Sequence, residues 1–386
     1  MPGRSLLDST LMQPKALDFL KRLMALPTPS GWESDGMRLA AEYLKPCAEQ
    51  LSFDLHGNLH AVLNSGAPTR VMIEGHCDEI GFMVQYIDDS GFLYMCAVGG
   101  LTIPLLAGER IVIQGRQGSV YGVFGVRPPH LMKPAEREKV APTELMDIAV
   151  DIGASSRDEA LKLVDLGSPA VVDAGWRPLA GDRVACRGFD NRIGSFVVAE
   201  AFRALAKQPL KVAVHLVLTV QEELGLVGGM TASYDVNPHV GLCVDVGFAS
   251  DTPGNDKKLV GDVQLGKGPI LCFGPTYNFK LQQLVESAAA REKVALQRQV
   301  RARGAGTNAW TMRTVRGGAA VALVSVPLRY MHSAVETLSL SDVDDSVKVV
   351  AATVAALPTR PDFFPDPVVA APRKQPGVRR ARRSRA

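Results

Sequence analysis

The chain has 386 residues, 43 Lys and Arg against 40 Asp and Glu, with 22% charged and 46% hydrophobic residues. Those proportions exclude a chain that is disordered over most of its length, and the length calls for two domains or one large domain carrying an insertion. The formal charge of +3 is uneven: residues 373–386 hold seven basic groups and no acidic one, and taking seven from 43 leaves a body of 36 against 40, about −4.

In chain order, apolar residues at helical spacing predict helices over 14–25 and 37–45, the second stopped by Pro46. Short strands follow at 59–63 and 70–74. From about 82 to 181 the texture changes to brief β-type runs punctuated by glycine, GFMVQYID, GFLYMCAV, ERIVIQG and GSVYGVFGV, with one helical piece at 156–164. Evenly spaced strands of this kind predict a small antiparallel barrel or sandwich. After residue 181 helices are expected at 192–206, 279–293 and 341–357, and strands at 211–220, 239–246 and 319–326. Alternating strands and helices favour a mostly parallel, helix-covered sheet, so the expectation is an α/β parent (1–81 and 182–357) interrupted by a β-rich insert (82–181). The Pro-, Arg- and Ala-rich stretch 358–386 is expected to be a disordered basic tail. Such a tail could touch nucleic acid; a solvated extension is the plainer expectation. No run approaches the 18 apolar residues of a membrane span, and six scattered cysteines without a C-x-x-C pair argue for a reducing compartment. The expected location is cytoplasmic, with no membrane partner.

Five segments gather imidazole and carboxylate groups at the ends of these elements. His76 and Asp78, two apart beyond the strand at 70–74, share a face in extended backbone, so one can ligate a metal while the other orients it. Asp190 opens an apolar helix, Glu222 and Glu223 close the run VAVHLVLTV, Asp245 ends another strand, and His332 follows the strand at 319–326. Each admits a plain role alone, such as a strand-end pair, a helix N-cap or a solvated glutamate pair. Together they form a nitrogen and oxygen donor set suited to zinc, cobalt or manganese rather than calcium. Within the pair 222–223, one carboxylate could bind metal and its neighbour serve as general base. Two metals sharing a carboxylate and a hydroxide are a general solution for hydrolysis.

The segments TPSGWE (28–33), GHCDEIGFMV (75–84), PPH (128–130), DIGASS (151–156), FDNRIG (189–194), QEELGLVGG (221–229), DVG…DTPG (245–254) and PLRYMHS (327–333) occur in an order that resembles the tetrahedral aminopeptidases. These are dinuclear metallopeptidases that include glutamyl and deblocking aminopeptidases and proteins labelled endoglucanase M. The resemblance implies a zinc-aminopeptidase-like mixed sheet covered by helices, with the β-barrel-like insert as a dimerisation domain. It also implies dimers that can build a tetrahedral dodecamer. It implies that His76 and Asp245 hold one divalent ion, Glu223 and His332 the other, and that Asp190 bridges them. Glu222 would be the general base toward a water shared by the two ions, Asp78 would orient His76, and peptides would be the substrates. Zinc is the expected metal, with cobalt or manganese as substitutes. Cys77 stands where the family usually has Met, and Asn191 where many relatives have a second Asp. Asn308, in GAGTNAW, stands where they often have Asp, which removes a charge near the substrate region. A dinuclear deacylase or carboxypeptidase, or a non-enzymatic assembly or nucleic-acid-binding protein using the tail, are the alternatives.

Overall fold

The computed structural model describes residues 12–132, 144–304 and 306–364. Its strands, in chain order, are β1 (Gln50–Phe53), β2 (Leu59–Leu63), β3 (Arg70–His76), β4 (Gly81–Ile87), β5 (Leu93–Val98), β6 (Arg110–Gly115), β7 (Gly118–Gly125), β8 (Ala149–Asp151) and β9 (Pro169–Val172). They continue with β10 (Arg177–Pro178), β11 (Arg183–Ala185), β12 (Ala213–Thr219), β13 (Val240–Phe248), β14 (Ile270–Phe273), β15 (Gln297–Val300), β16 (Ala320–Leu328) and β17 (Thr337–Ser339). Eight of them form one sheet in the order β1-β2-β12-β3-β13-β16-β14-β15. Four of its pairings are parallel and three antiparallel, so the sheet is mixed where alternation alone suggested mostly parallel. The four inner strands β12, β3, β13 and β16 are mutually parallel, which brings their carboxyl ends to one edge. In open α/β sheets that edge is where ligands bind.

Continuous apolar runs such as AVHLVLT in β12 are buried along nearly their whole length, as a strand covered on both faces requires. One face packs against the helices Pro14–Ala25, Ser34–Leu44, Phe189–Leu205, Phe279–Arg291 and Leu340–Ala355 through residues such as Leu20, Phe196, Phe202, Val285 and Val350. The other face carries a smaller core of Met72, Val217, Ala232, Met312 and Leu323. Part of that cover is the helix Val227–Val236, VGGMTASYDV, which periodicity did not announce because two glycines weaken its helical signal. Packing explains them: a Cβ at Gly228 would lie 2.3 Å from the Val220 carbonyl oxygen, and one at Gly229 2.1 Å from Asn308 Oδ1.

The β-rich stretch is a closed six-stranded barrel, β4-β5-β8-β7-β6-β9, antiparallel throughout. It has its own core, with Phe82 and Phe124 rings 5.2 Å apart among Ile87, Leu93, Ile113 and Val150. All six cysteines are free. Among the described residues no helix is long and apolar enough to cross a membrane.

The expected tail is corrected at its start. Residues 358–364 lie against the body: Thr69 Oγ1 donates to the Thr359 carbonyl at 2.7 Å, Asn278 Nδ2 to that of Phe363 at 2.7 Å, and the Phe363 ring packs on the main core. Two hydrogen bonds and one aromatic contact thus order a segment that composition alone marks as unstructured. The basic residues 373–386 lie outside the described residues.

Candidate metal centre

His76 ends β3, Glu222 and Glu223 follow β12, Asp245 lies near the end of β13, and His332 follows β16. Parallel pairing of these strands places the five side chains together, as their sequence positions led one to expect. Asp190 joins them from the start of the helix Phe189–Leu205. That helix turns regular only after Asn191, and the expected capping role moves there: Asn191 Oδ1 accepts the Gly194 N–H at 3.0 Å. The Asp190 carboxylate is thereby free to face the cluster. The turn before it needs Gly188 at φ 64°, where a Cβ would come within 2.4 Å of Glu79 Oε2.

Asp190 lies between the two imidazoles. His76 Nε2 is 3.4 Å from its Oδ1, and His332 Nε2 is 3.3 Å from its Oδ2. His76 Nε2 is also 3.8 Å from Asp245 Oδ1 and 3.8 Å from Glu222 Oε2, while His332 Nε2 is 3.3 Å from Glu223 Oε1. Among the described residues, three groups have donor atoms close enough to hold a metal ion: His76, Asp190 and Asp245; Asp190, Glu223 and His332; and His76, Glu222 and Glu223. The first two share Asp190.

Both rings are tied on the outer nitrogen. His76 Nδ1 is 3.2 Å from the Asp78 carbonyl and 3.3 Å from Asp78 Oδ1; His332 Nδ1 is 2.9 Å from the Gly100 carbonyl, just past β5 of the barrel. Donation of Nδ1–H to these acceptors fixes the tautomer and turns Nε2 into the cluster, the usual arrangement behind a metal-ligating histidine. Asp78 does more than orient His76. Its carboxylate accepts the N–H groups of Glu222 and Glu223, both at 3.1 Å, and the Ser30 hydroxyl at 2.6 Å.

Three supporting residues were missed by the site reasoning. Glu336, 2% exposed, accepts the Asp190 N–H at 3.0 Å and the His332 N–H at 2.9 Å, so one carboxylate sets the backbone under two cluster residues. His332 is held at φ 60°, and Gln221, beside Glu222, at 53°; Glu33 accepts the Gln221 N–H at 3.0 Å. Left-handed backbone at non-glycine residues is strained and needs such support. Ser30 and Glu33 lie in the TPSGWE segment, which carried no chemistry of its own in the sequence. Glu336, four residues after His332, gave no periodic signal at all.

The electrostatics are those of crowded acids. Burial, together with the neighbouring Asp245, Glu223 and Asp190 carboxylates, pushes Glu222 up to about 9, and burial raises Asp245 and Glu223 as well. Against its own burial, Asp190 is held down at about 2 by hydrogen bonds from His332 and His76. Hydrogen bonds to Asp190 and Glu223 raise His332 to about 11. Four carboxylates thus crowd two imidazoles, a set of acids that bound divalent cations would hold ionised at neutral pH.

Asn308 does not face this space. It is 1% exposed and donates to Glu74 Oε1 at 2.7 Å and Thr219 Oγ1 at 3.0 Å, inside the smaller core, so its charge state bears on a buried network rather than on substrate. Its neighbour Thr307 lines the cavity of about 150 Å³ that opens beside the cluster.

Residues 57–349 match the family model of the M42 glutamyl aminopeptidase, and the chain is 36% identical over 350 residues to the lysyl aminopeptidase of Pyrococcus furiosus, covering 90% of this chain and 99% of that one. The chain belongs to the M42 glutamyl aminopeptidase family. This aminopeptidase, a peptide-bond hydrolase, superposes on the TET aminopeptidase of a marine sediment Thaumarchaeota archaeon with a TM-score of 0.84 at 32% identity, over 90% of this chain and 98% of that one. It also resembles the TET1 peptidase of Pyrococcus horikoshii (TM-score 0.78, 32% identity, 89% and 100% covered), which can assemble into a tetrahedron or a large octahedral shell. The barrel of the aminopeptidase and its mixed sheet are thus those of this family.

Proposed function

We propose that the aminopeptidase removes N-terminal residues from peptides with two divalent cations, zinc first and cobalt or manganese as substitutes. His76 and Asp245 would hold one cation, Glu223 and His332 the other, and Asp190 would reach both. The observation that carries this reading is the pair of donor groups sharing Asp190, with an imidazole Nε2 at 3.4 Å from one of its oxygens and another at 3.3 Å from the second. The donor chemistry fits: imidazole nitrogens and carboxylates without thiolates, each ring anchored on its far nitrogen. Bound there, such cations supply Lewis acidity toward a peptide carbonyl and make water nucleophilic near neutral pH.

The chain's own residues supply the proton chemistry. Among the described residues the Glu222 carboxylate accepts no hydrogen bond, while its N–H is fixed on Asp78. It is therefore held in place yet free to take a proton from the attacking water and pass it to the leaving amine nitrogen. Residues 82–181 serve as an inserted dimerisation domain between catalytic parts 1–81 and 182–357, and the working form is a homo-oligomer, up to a dodecamer. Exposed Tyr121, Val123 and Val126 along and just beyond β7 support that reading, as does the assembly of the horikoshii relative.

The deciding experiment reloads apoprotein with zinc, cobalt or manganese and compares amino-acid p-nitroanilides with N-acyl amino acids. Turnover of the anilides alone is expected. Turnover of the N-acyl compounds alone would identify a deacylase instead. Light scattering of the same samples reports the assembly, and a monomer would contradict the role given to the barrel.

A further inference from the structure

The opposite edge of the main sheet, where its inner parallel strands begin, carries a recess lined by cations. Two adjoining cavities of about 740 and about 410 Å³ run from the start of β3, past those of β13 and β16, to the start of the helix Phe279–Arg291. Both are bordered by Arg313 and Phe363. From β3 to β14 is three strand steps, on the order of 14 Å at ~4.8 Å each. That is the span of about four successive phosphates of one nucleic-acid strand at ~3.4 Å each. Arg70, at the start of β3, stands about 20 Å along the strand from His76 of the cluster, at ~3.3 Å per residue.

The segment 358–364, held by Thr69 and Asn278, forms one wall and brings Arg360 and Phe364 to the groove. Among the described residues no carboxylate lines either cavity. Arg70 donates from Nε to the Val236 carbonyl at 2.9 Å and from Nη2 to that of Asn237 at 2.6 Å, neutral partners that leave its charge uncompensated. Arg313 lies 5.3 Å from the Trp310 ring centroid, and Arg316, beside the groove-lining Gly317, lies 4.0 Å from that of Tyr234. Neither of these nor Arg360 makes an ion pair among the described residues; Lys280, at the far end, is paired with Asp362 at 3.7 Å. A guanidinium stacked on a ring keeps its in-plane N–H donors for a ligand. Aromatic rings stand exposed between the cations, Phe364 at 82% and Phe279 at 65%.

We propose that this groove binds single-stranded nucleic acid, with its guanidinium groups on phosphates and the Phe364 and Phe279 rings stacked on bases. An acidic protein segment would answer the cations and leave the rings in water, so the two features together favour nucleotides. The rest of the chain argues the same way. Residues 373–386, with seven basic groups and no acidic one, begin nine residues beyond Phe364, which is within about 30 Å by covalent reach. Groove and tail have the same sign and repel each other unless a polyanion meets both. The inference is independent of the aminopeptidase reading.

Full-length protein is expected to bind a labelled oligothymidylate in fluorescence anisotropy, with log affinity falling against log salt by about 0.7 per phosphate contacted. Arg313→Glu weakens binding at least ~10-fold and flattens that slope, while Phe364→Ala weakens it roughly 5- to 100-fold with the slope unmoved. A chain ending at Phe364 binds more weakly but still responds to Arg313→Glu. Both substituted proteins keep the wild-type unfolding midpoint and kcat/KM on an amino-acid p-nitroanilide, so the loss of binding is read on folded enzyme. No binding at about 50 mM salt, displacement by polyglutamate as effective as by unlabelled oligothymidylate, or tighter binding of a duplex than of the single strand overturns the proposal. So does a tail deletion that abolishes binding while Arg313→Glu leaves it intact, which would assign the nucleic acid to the tail alone.

Discussion

Asp78 and Glu79 are neighbours in the chain, both buried, and they belong to networks with opposite charge balance. Asp78 supports a cluster in which carboxylates outnumber imidazoles. Glu79 sits with two guanidinium groups, accepting from Arg187 Nη1 at 2.6 Å and from Arg192 Nη2 at 2.9 Å, and it also takes the Thr28 N–H at 3.0 Å. Arg192 is fully buried and spends its remaining donors on the carbonyls of Gly188, Arg187 and Leu26. The Glu79 network is closed by the protein itself, so its charges serve the fold. The carboxylates around Asp190 have no guanidinium or ammonium partner among the described residues, and crowding raises most of them, which is what bound cations can use. The same substitution, carboxylate to amide, should therefore have different effects in the two places.

The largest effect is expected at Glu222. Glu222→Gln keeps shape and removes the proton acceptor, so kcat should fall about 10³- to 10⁴-fold, or ~4–5.5 kcal/mol of barrier. Metal content, read by elemental analysis, should hold, and the unfolding midpoint should not drop. Wild-type turnover in a fully loaded variant would remove Glu222 from the base role and with it this side of the contrast.

Next comes Glu79→Gln, which leaves Arg192 buried without its counter-charge. About 3 kcal/mol of stability should be lost, measured by urea unfolding. Despite burial, the Arg187 and Arg192 charges hold the Glu79 pKa below its ordinary 4.5. Its folded-state pKa is depressed, so the pairing contributes fully above the unfolded value and is lost as pH falls through the folded one. Wild type and Glu79→Gln should differ most at neutral pH, and the gap should close only as pH falls through the depressed folded-state pKa of Glu79, below its ordinary 4.5. A gap independent of pH would mean that packing, not charge, accounts for the loss.

Much of this was legible in the sequence, and the limits are physical. His76, Asp190, Glu222, Glu223, Asp245 and His332 stand at strand ends or a helix start, and the parallel pairing of β3, β12, β13 and β16 is enough to gather five of them. The short glycine-punctuated runs announced a barrel for the same reason, since each strand is local. What stayed hidden depends on the third dimension. Glu336 reaches Asp190 across 146 residues and Gly100 reaches His332 across 232, and no spacing rule relates such pairs. The helix Val227–Val236 was hidden because its glycines answer to neighbours, not to helix propensity.

Asp78→Asn tests the link between the networks. It weakens the acceptor for His76 Nδ1 and for the N–H groups of Glu222 and Glu223 without touching a proposed ligand. Loss of such support commonly costs 10- to 100-fold in metal affinity, or ~1.4–2.7 kcal/mol. Competitive chelator titration should show it, with activity largely recovered at high metal. Unchanged affinity would confine Asp78 to the fold, alongside Glu79.

The smallest effect is expected at Glu74, where the same Glu→Gln change meets a third kind of balance. Glu74 is fully buried, yet neutral groups surround it: Thr219 Oγ1 donates at 2.6 Å, Asn308 Nδ2 at 2.7 Å, and Cys243 Sγ at 3.2 Å. Burial raises its pKa, so the uncharged form is the one this environment favours. An amide oxygen can accept from Thr219 and Asn308 as the carboxylate does, and its NH₂ group then faces the Cys243 sulfur. Glu74→Gln should therefore change stability by less than ~1 kcal/mol, because no charged partner is left alone. A loss approaching that of Glu79→Gln would show that Glu74 is charged in the folded protein. Burial depth would then explain as much as pairing, and the distinction between the two networks would weaken.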